Sequence, residues 1–232
     1  KGADIQGNLL IDHLLGAEIS IVPGEDLQQL PPLLEEKVAD LKRAGKRPYQ
    51  MNLFGLPTLS LSAVSYVNAV LELDAQLAAM DHEVDYLYLS GVNITPAGLA
   101  LGVKALGLKT RVMGIASLRW DLDRSTDIAR IADATAERLG LDIRFRPEEI
   151  LNTDEYVGDR YGVMTPECRE AIKLVARTEG IILDPVYSGK AMAGLIDHIR
   201  QGRISKQETV VFLHTGGTPA LFAYAEDLVP AH

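Results

Sequence analysis

Short apolar runs and longer amphipathic segments follow each other along the whole chain. Runs flanked by turn residues predict strands, because a strand of a parallel sheet is buried on both faces. Segments with apolar residues at intervals of three or four predict helices. The predicted strands are 18–22, 49–53, 86–90, 110–116, 142–145 and 209–214. The predicted helices are 8–15, 27–44, 60–80, 97–106, 123–139, 166–180 and 188–200, with a last one over 218–224.

This alternation predicts an α/β fold with three layers, in which a mostly parallel sheet is covered by helices on both faces. The pair Pro23-Gly24, followed by a charged helix, predicts a junction between two lobes. We therefore assign residues 1–24 to the remnant of a smaller lobe and 25–232 to one large α/β domain.

Composition excludes several function classes. The 232 residues carry a net charge of −9 without a block of like charge, which disfavours nucleic acid or an anionic membrane as a partner. No apolar run reaches the ~18 residues of a membrane span, and the first residues lack the apolar core of a signal peptide. The single cysteine, Cys168, allows no internal disulfide and fits a reducing compartment such as the cytoplasm. We interpret it as a buried, inert thiol.

Candidate chemistry is concentrated in segments 184–194 and 211–224. Each places hydroxyls and glycines after an apolar run that predicts a strand and before a helix, and ligands bind at that edge of an open α/β sheet. Tyr187 offers a phenol that can donate a proton, and we expect Ser188 to cap the helix that follows. Thr215 offers a hydrogen bond to a ring nitrogen. Gly216 and Gly217 let the backbone approach a flat ring.

Two further segments carry alternatives. Segment 89–98 reads as strand, turn and helix, so its N–H groups and hydroxyls could hold a phosphate at the helix N-terminus. It also fits an ordinary turn with Thr95 as N-cap and Pro96 at the first helical position. Tyr161, in a Tyr-Gly turn, either faces the same site or packs over its loop. No histidine, cysteine or carboxylate spacing points to a metal, and we predict none.

Together these segments, with 7–17, resemble pyridoxal-phosphate-dependent enzymes of fold type II, the tryptophan-synthase-β type. The D-cysteine desulfhydrases and aminocyclopropane-carboxylate deaminases are the groups that the segments resemble. The resemblance implies pyridoxal 5'-phosphate as cofactor and elimination or deamination of a small amino acid. It implies that residues 1–24 belong to the small lobe. It implies catalytic roles for Tyr187 and Tyr161, and cofactor contacts from Ser90, Gly91, Thr95, Gly98, Ser188, Thr215, Gly216 and Gly217.

The chain also departs from the pattern of the family. Ile94 stands where a glycine is expected, and Pro96 removes an N–H donor, which predicts a changed phosphate grip. Segment 50–62 has lost the polar turn expected near the cofactor. At Ser188 the deaminases carry an acidic residue and the desulfhydrases a hydroxyl, so the chain sides with the desulfhydrases.

The lysine that binds the cofactor lies in the first third of family members, and this chain has no counterpart of that third. For Lys190 we expect a surface role. We therefore expect a complementing polypeptide, a homo-oligomer or both. The alternative is a non-catalytic scaffold subunit derived from the family.

Overall fold

A four-stranded parallel sheet forms the centre of the molecule. The computed structural model describes residues 5–22, 29–51, 55–119 and 123–229. The sheet has the order β3-β2-β1-β4, and every neighbouring pair is parallel. Its strands are β1 (Tyr86–Ser90), β2 (Arg111–Ile115), β3 (Leu151–Thr153) and β4 (Val210–Leu213). The predicted α/β class with a mostly parallel sheet is confirmed.

Helices cover both faces of this sheet. The α-helices of the described residues are α1 (Gly7–Leu14), α2 (Leu30–Arg43), α3 (Leu56–Ala79), α4 (Ile94–Ala105), α5 (Arg124–Arg138), α6 (Pro166–Thr178), α7 (Ser188–Arg200), α8 (Thr218–Leu221) and α9 (Ala225–Leu228). Neither α1 nor α2 has a buried residue. Side chains of β1 alternate between the faces: Leu87 and Leu89 pack against α3 and α4, while Tyr86 and Tyr88 pack against α7. This explains why the strand is apolar throughout. The division into two domains at residue 24 stays a prediction.

Helices α3 and α4 pack unusually closely. A Cβ on Gly98 would collide with the carbonyl oxygen of Ala63 and lie 2.6 Å from Cβ of Tyr66. Helix α3 is long and apolar enough to cross a membrane by length and composition. It nevertheless packs along α4 and α5 as a core helix does, with Ala63 and Val70 buried.

Several predicted strands are wrong. Residues 18–22, 49–51, 142–145 and 181–183 form neither strand nor helix, and 52–53 lie outside the described residues. The outer strand β3 forms instead at Leu151–Thr153, where it pairs with β2. A short apolar run becomes a strand only where a neighbour accepts its hydrogen bonds, and that neighbour is set by the tertiary fold.

His198 lies on the side of α7 that faces the sheet, where it takes part in a buried network of polar side chains. Nδ1 of His198 is 2.7 Å from Oη of Tyr88, and Nε2 is 3.2 Å from a guanidinium nitrogen of Arg203. Because a guanidinium can only donate, Nε2 accepts and the proton resides on Nδ1. Burial, and then the Arg203 cation, lowers the pKa of His198 below its usual value of 6.5, although Asp197 and Glu155 offset part of this.

We expect acid to destabilise the fold through His198. The unfolded chain takes up a proton on this histidine near pH 6.5, whereas the folded chain does so only at lower pH. Stability is therefore complete above about pH 6.5 and falls below it, by at most about 1.4 kcal/mol per pH unit for one proton. Urea unfolding at pH 7.5 and 5.5 should show a smaller acid loss in His198→Gln than in wild type. The same change at exposed His82 is the control, and equal acid losses in all three proteins would contradict the assignment.

Candidate functional site

The topology places a ligand crevice between β1 and β4. From β1 the chain moves outward through β2 to β3, and it then returns to the other side of β1 as β4. Ligands of open α/β sheets bind beyond the carboxyl ends of the strands at such a reversal. Ser90 and Gly91 end β1 and begin its loop, and segment 214–217 follows β4. The fold therefore brings two of the predicted segments to one edge of the sheet.

Asp184, which the sequence analysis did not single out, organises the start of α7. Its fully buried carboxylate accepts hydrogen bonds from the backbone N–H groups of Val186, Tyr187 and Ser188 at 2.8–2.9 Å. Asp184 therefore caps α7, and the prediction that Ser188 does so is wrong. The sequence rule for helix starts does not find this cap, because it looks for an aspartate at the N-cap position, whereas Asp184 lies three residues before the N-cap residue Tyr187.

Ser188 is engaged with the same carboxylate. Its hydroxyl donates to Oδ1 of Asp184 at 2.6 Å and accepts from the N–H of Asp184 at 2.8 Å, and the residue is buried. The hydroxyl is thus committed within the chain. Its predicted contact with the cofactor stays a prediction.

Gly217 joins the second segment to Asp184. It has φ +98°, and a Cβ at this position would lie 2.5 Å from Oδ1 of Asp184. Gly216 has φ +113°, but no atom lies within 4 Å of where its Cβ would stand, so the space above it is open. Thr215 is exposed beside that space. The predicted Thr-Gly-Gly segment therefore rests on the buried carboxylate and presents an open face.

His214 holds the loop of residues 214–217 in place through two hydrogen bonds. The N–H of Gly216 donates to its Nδ1 at 3.2 Å, and its Nε2 lies 2.9 Å from the carbonyl oxygen of Ile182. Because Nδ1 accepts, Nε2 carries the proton and donates to the carbonyl. His214 is therefore a structural residue of the loop.

The structure brings the two predicted catalytic tyrosines together. The hydroxyls of Tyr161 and Tyr187 share a hydrogen bond, and their ring centroids are 6.1 Å apart at an angle of 62°. Burial, strengthened by the bond to Tyr187, raises the pKa of Tyr161 above its ordinary value. Both tyrosines nevertheless stay partly exposed, Tyr161 at 50% and Tyr187 at 38%. Tyr224 supports the same turn, because its hydroxyl donates to the carbonyl of Gly162 at 2.5 Å.

The loop after β1 has only some of the hydrogen-bond donors that a phosphate-binding loop needs. Helix α4 begins at Ile94 and is capped by Asn93, whose side-chain oxygen accepts from the Ile94 N–H at 2.7 Å, so Thr95 is not the N-cap. Pro96 contributes no N–H, and the Ala97 N–H is bonded to the carbonyl of Asn93. The hydroxyls of Ser90 and Thr95 have no hydrogen-bond partner within the described ranges and remain as donors.

Close packing explains why glycine stands at positions 91 and 98. A Cβ on Gly91 would lie 2.8 Å from Cδ of Pro96, and Gly98 is required by the contact with α3. Nothing in these contacts points to the cofactor. Their predicted cofactor role stays a prediction.

Lys190 corrects another expectation, because it is buried and not on the surface. Its side chain is 1% exposed, and Nζ donates to the carbonyl oxygen of Val157 at 2.6 Å. Burial lowers the pKa of this amine. Cys168 is also fully buried, as expected, and burial raises the pKa of its thiol to about 12. Such a thiol is a poor nucleophile at neutral pH.

The cavities beside α3, beside Phe145 and beside Ile182 are not lined by any of the predicted site residues. No group of three or more histidines, cysteines or carboxylates within the described ranges could hold a metal ion. A cavity of about 520 Å³ lies between α3 and the amino-terminal ends of β1 and β2. It is at the edge opposite to the crevice, where open α/β sheets do not place their ligands.

The residues present fit pyridoxal phosphate in part. The open space above Gly216, exposed Thr215 and the tyrosine pair can receive a flat ring with a hydrogen-bonding nitrogen. On the phosphate side, two hydroxyls and the N-terminus of α4 remain, while one N–H is taken by Asn93 and another is lost to Pro96. The ring side therefore offers groups that suit a flat heterocycle, whereas the phosphate side offers few donors.

Comparison with known proteins finds relatives over nearly the whole chain. The chain is 36% identical over 224 residues to a protein named 1-aminocyclopropane-1-carboxylate deaminase from Bradyrhizobium sp. (strain BTAi1 / ATCC BAA-1182). The aligned region covers 96% of this chain and 66% of that protein. The crystal structure of an ACC deaminase homologue superposes with a TM-score of 0.83 at 32% identity, over 98% of this chain and 67% of that one. The chain thus spans about two thirds of these relatives. A sequence model described as "Pyridoxal-phosphate dependent enzyme" matches residues 2–216, and the chain belongs to this family, whose cofactor is pyridoxal phosphate.

Proposed function

We propose that this chain forms the ring-binding and proton-transfer part of a lyase or deaminase that acts on a small amino acid. The observation that carries the proposal is the hydroxyl pair of Tyr161 and Tyr187 at the same sheet edge as the open Gly216-Gly217 face. The similarity to a protein named as a deaminase supports the reaction class. Ser188, a hydroxyl residue, favours the D-cysteine desulfhydrase type within that class.

The chain's own residues would divide the work as follows. Gly216 and Gly217 admit the ring, and Thr215 offers its hydroxyl to the ring nitrogen. When bound, the cofactor supplies the electron sink for bond cleavage at the substrate's α-carbon. The hydroxyls of Tyr187 and Tyr161 share a hydrogen bond, so either phenol would be placed to pass a proton to a substrate group that accepts one.

A complementing polypeptide would supply the cofactor-binding lysine, and assembly of several copies of the chain is a separate proposal. So is a cytoplasmic location. The scaffold alternative, in which the assembly has no activity, is kept because Ile94 and Pro96 alter the loop after β1. Assembly with a polypeptide that carries the lysine segment, followed by assay of turnover, separates the two proposals.

In such an assembly, Tyr187→Phe and Thr215→Val should have different effects. Tyr187→Phe removes a proton carrier and little else, so turnover should fall by about 10²-fold or more while cofactor affinity is kept. Thr215→Val removes one hydrogen bond in a closed site, about 1–3 kcal/mol, so cofactor affinity should fall roughly tenfold or more. Titration of cofactor absorbance and steady-state kinetics measure the two quantities. Tyr49→Phe, at a tyrosine that is 89% exposed, is the control. Full turnover in Tyr187→Phe together with unchanged affinity in Thr215→Val would refute the proposed site.

A further inference from the structure

The loop that carries Tyr161 is anchored by two cationic side chains on consecutive carbonyl groups. Nζ of Lys190 donates to the carbonyl oxygen of Val157 at 2.6 Å. A guanidinium nitrogen of Arg119 donates to the carbonyl oxygen of Gly158 at 2.7 Å. The two anchors come from different parts of the chain, since Lys190 lies in α7 and Arg119 follows β2. Segment 154–162 is thus held from two directions.

Packing alone does not explain a lysine at position 190. The residue is 1% exposed, and its neighbours along α7, Ala191 and Ala193, are buried and apolar. A buried amine costs free energy unless it is hydrogen-bonded, and the depressed pKa of Lys190 reflects that cost. An apolar side chain of similar length would fill the same space without it. What the lysine adds is a donor that reaches the Val157 carbonyl.

The turn at residues 157 and 158 has little room to change its conformation. Val157 is 1% exposed, and its N–H donates to the carbonyl of Asp154 at 3.2 Å. Gly158 has φ +76°, and a Cβ there would lie 2.5 Å from Cγ2 of Thr165. Fixing the carbonyls of residues 157 and 158 therefore fixes where the chain goes next, and Tyr161 follows three residues later.

Helix α7 links this anchor to the other tyrosine. Tyr187 is the N-cap residue of α7, and Lys190 lies in its first turn. One helical turn therefore positions Tyr187 directly and Tyr161 through Lys190 and the loop. We infer that Lys190 is a positioning residue, assisted by Arg119, that holds loop 154–162 so that the Tyr161 hydroxyl meets the Tyr187 hydroxyl. The inference rests on the proposed function only for the catalytic meaning of this pair.

Fluorine NMR of the chain labelled with 3-fluorotyrosine tests the inference without any activity assay. Single phenylalanine variants assign the signals of Tyr161, Tyr187, Tyr88 and Tyr49. In Lys190→Met, which keeps the length of the side chain but removes the donor, the Tyr161 and Tyr187 signals should move toward that of exposed Tyr49. The pH midpoint of the Tyr161 signal should fall. The Tyr88 signal, which reports the sheet core, should stay. Lys206→Met makes the same change at an exposed lysine and should move none of them.

Unmoved Tyr161 and Tyr187 signals in a folded Lys190→Met protein would overturn the inference, even if its melting temperature were lower. If Lys190→Met loses the Tyr88 signal through unfolding, Arg119→Gln decides, because that side chain is 55% exposed and its removal leaves the core intact. Arg119→Gln should then shift the Tyr161 signal in the same direction by a smaller amount, and no shift would reject the inference. An assembly that is inactive while both signals are in place would refute the proposed function and leave the positioning role standing.

Discussion

Replacement of Asp184 by alanine should destabilise the chain by about 3 kcal/mol or more. The carboxylate is fully buried and accepts from three backbone N–H groups and the Ser188 hydroxyl. Its removal leaves these donors in the protein interior without an acceptor, at about 1–3 kcal/mol for each one that water cannot reach. The loss should appear in the free energy of unfolding obtained from urea titrations. Because Gly217 packs on the same carboxylate, the Tyr161–Tyr187 pair and the 214–217 loop should loosen together.

Asp123 provides the matched control for this substitution. It also caps a helix, since its carboxylate accepts from the N–H of Thr126 at 2.9 Å, but it is exposed. Asp123→Ala should therefore cost only about 1 kcal/mol, the usual value for an N-cap. If Asp184→Ala costs no more than Asp123→Ala, the buried carboxylate does not organise the site as described.

Replacement of Gly98 by alanine should cost about 3 kcal/mol, although alanine is the better helix former by about 1 kcal/mol. The new methyl group would collide with the carbonyl oxygen of Ala63 and with Cβ of Tyr66, both in α3. Neither atom can rotate away, so α3 and α4 have to separate. The increase in separation should expose the packed residues Leu99 and Val70 and lower the urea midpoint.

Gly102, on the same helix, allows a comparison with a less severe collision. A Cβ there would lie 2.7 Å from Cγ2 of Val70, which can rotate, and 2.8 Å from Cβ of Val70, which cannot, while the carbonyl oxygen of Val67 is 3.3 Å away. Gly102→Ala should therefore cost less than Gly98→Ala, and Val70→Ala in the same chain should relieve part of the cost. Equal losses at both positions, with no relief from Val70→Ala, would show that backbone contact is not what sets the cost at Gly98.

The strands and helices that the sequence pattern predicted correctly are those at the buried centre of the sheet. β1, β2, β4 and the helices between them follow from apolar runs and helical periodicity, because burial at the centre of the sheet leaves little choice of structure. The runs at 18–22, 142–145 and 181–183 look similar in composition, yet no strand forms there. β3 is three residues long and exists because β2 offers hydrogen-bonding groups at Leu151–Thr153. Pairing partners, and with them the outer strands, are decided by the tertiary structure.

For the candidate site, the sequence determined which residues have suitable chemistry and roughly where along the chain they lie. Residue type and order pointed to Tyr187 and the Thr-Gly-Gly loop, and the resemblance to the family added Tyr161 and the altered loop after β1. Only the tertiary structure decided that Asp184, not Ser188, caps α7, and that Lys190 is buried with its amine on the Val157 carbonyl. A helix start has several possible caps, and a lysine among small apolar residues suits a buried or an exposed face equally. The cap depends on the path of the backbone between Asp184 and Ser188. The burial of Lys190 depends on Val157, which is 33 residues away along the chain and comes into contact only in the folded protein.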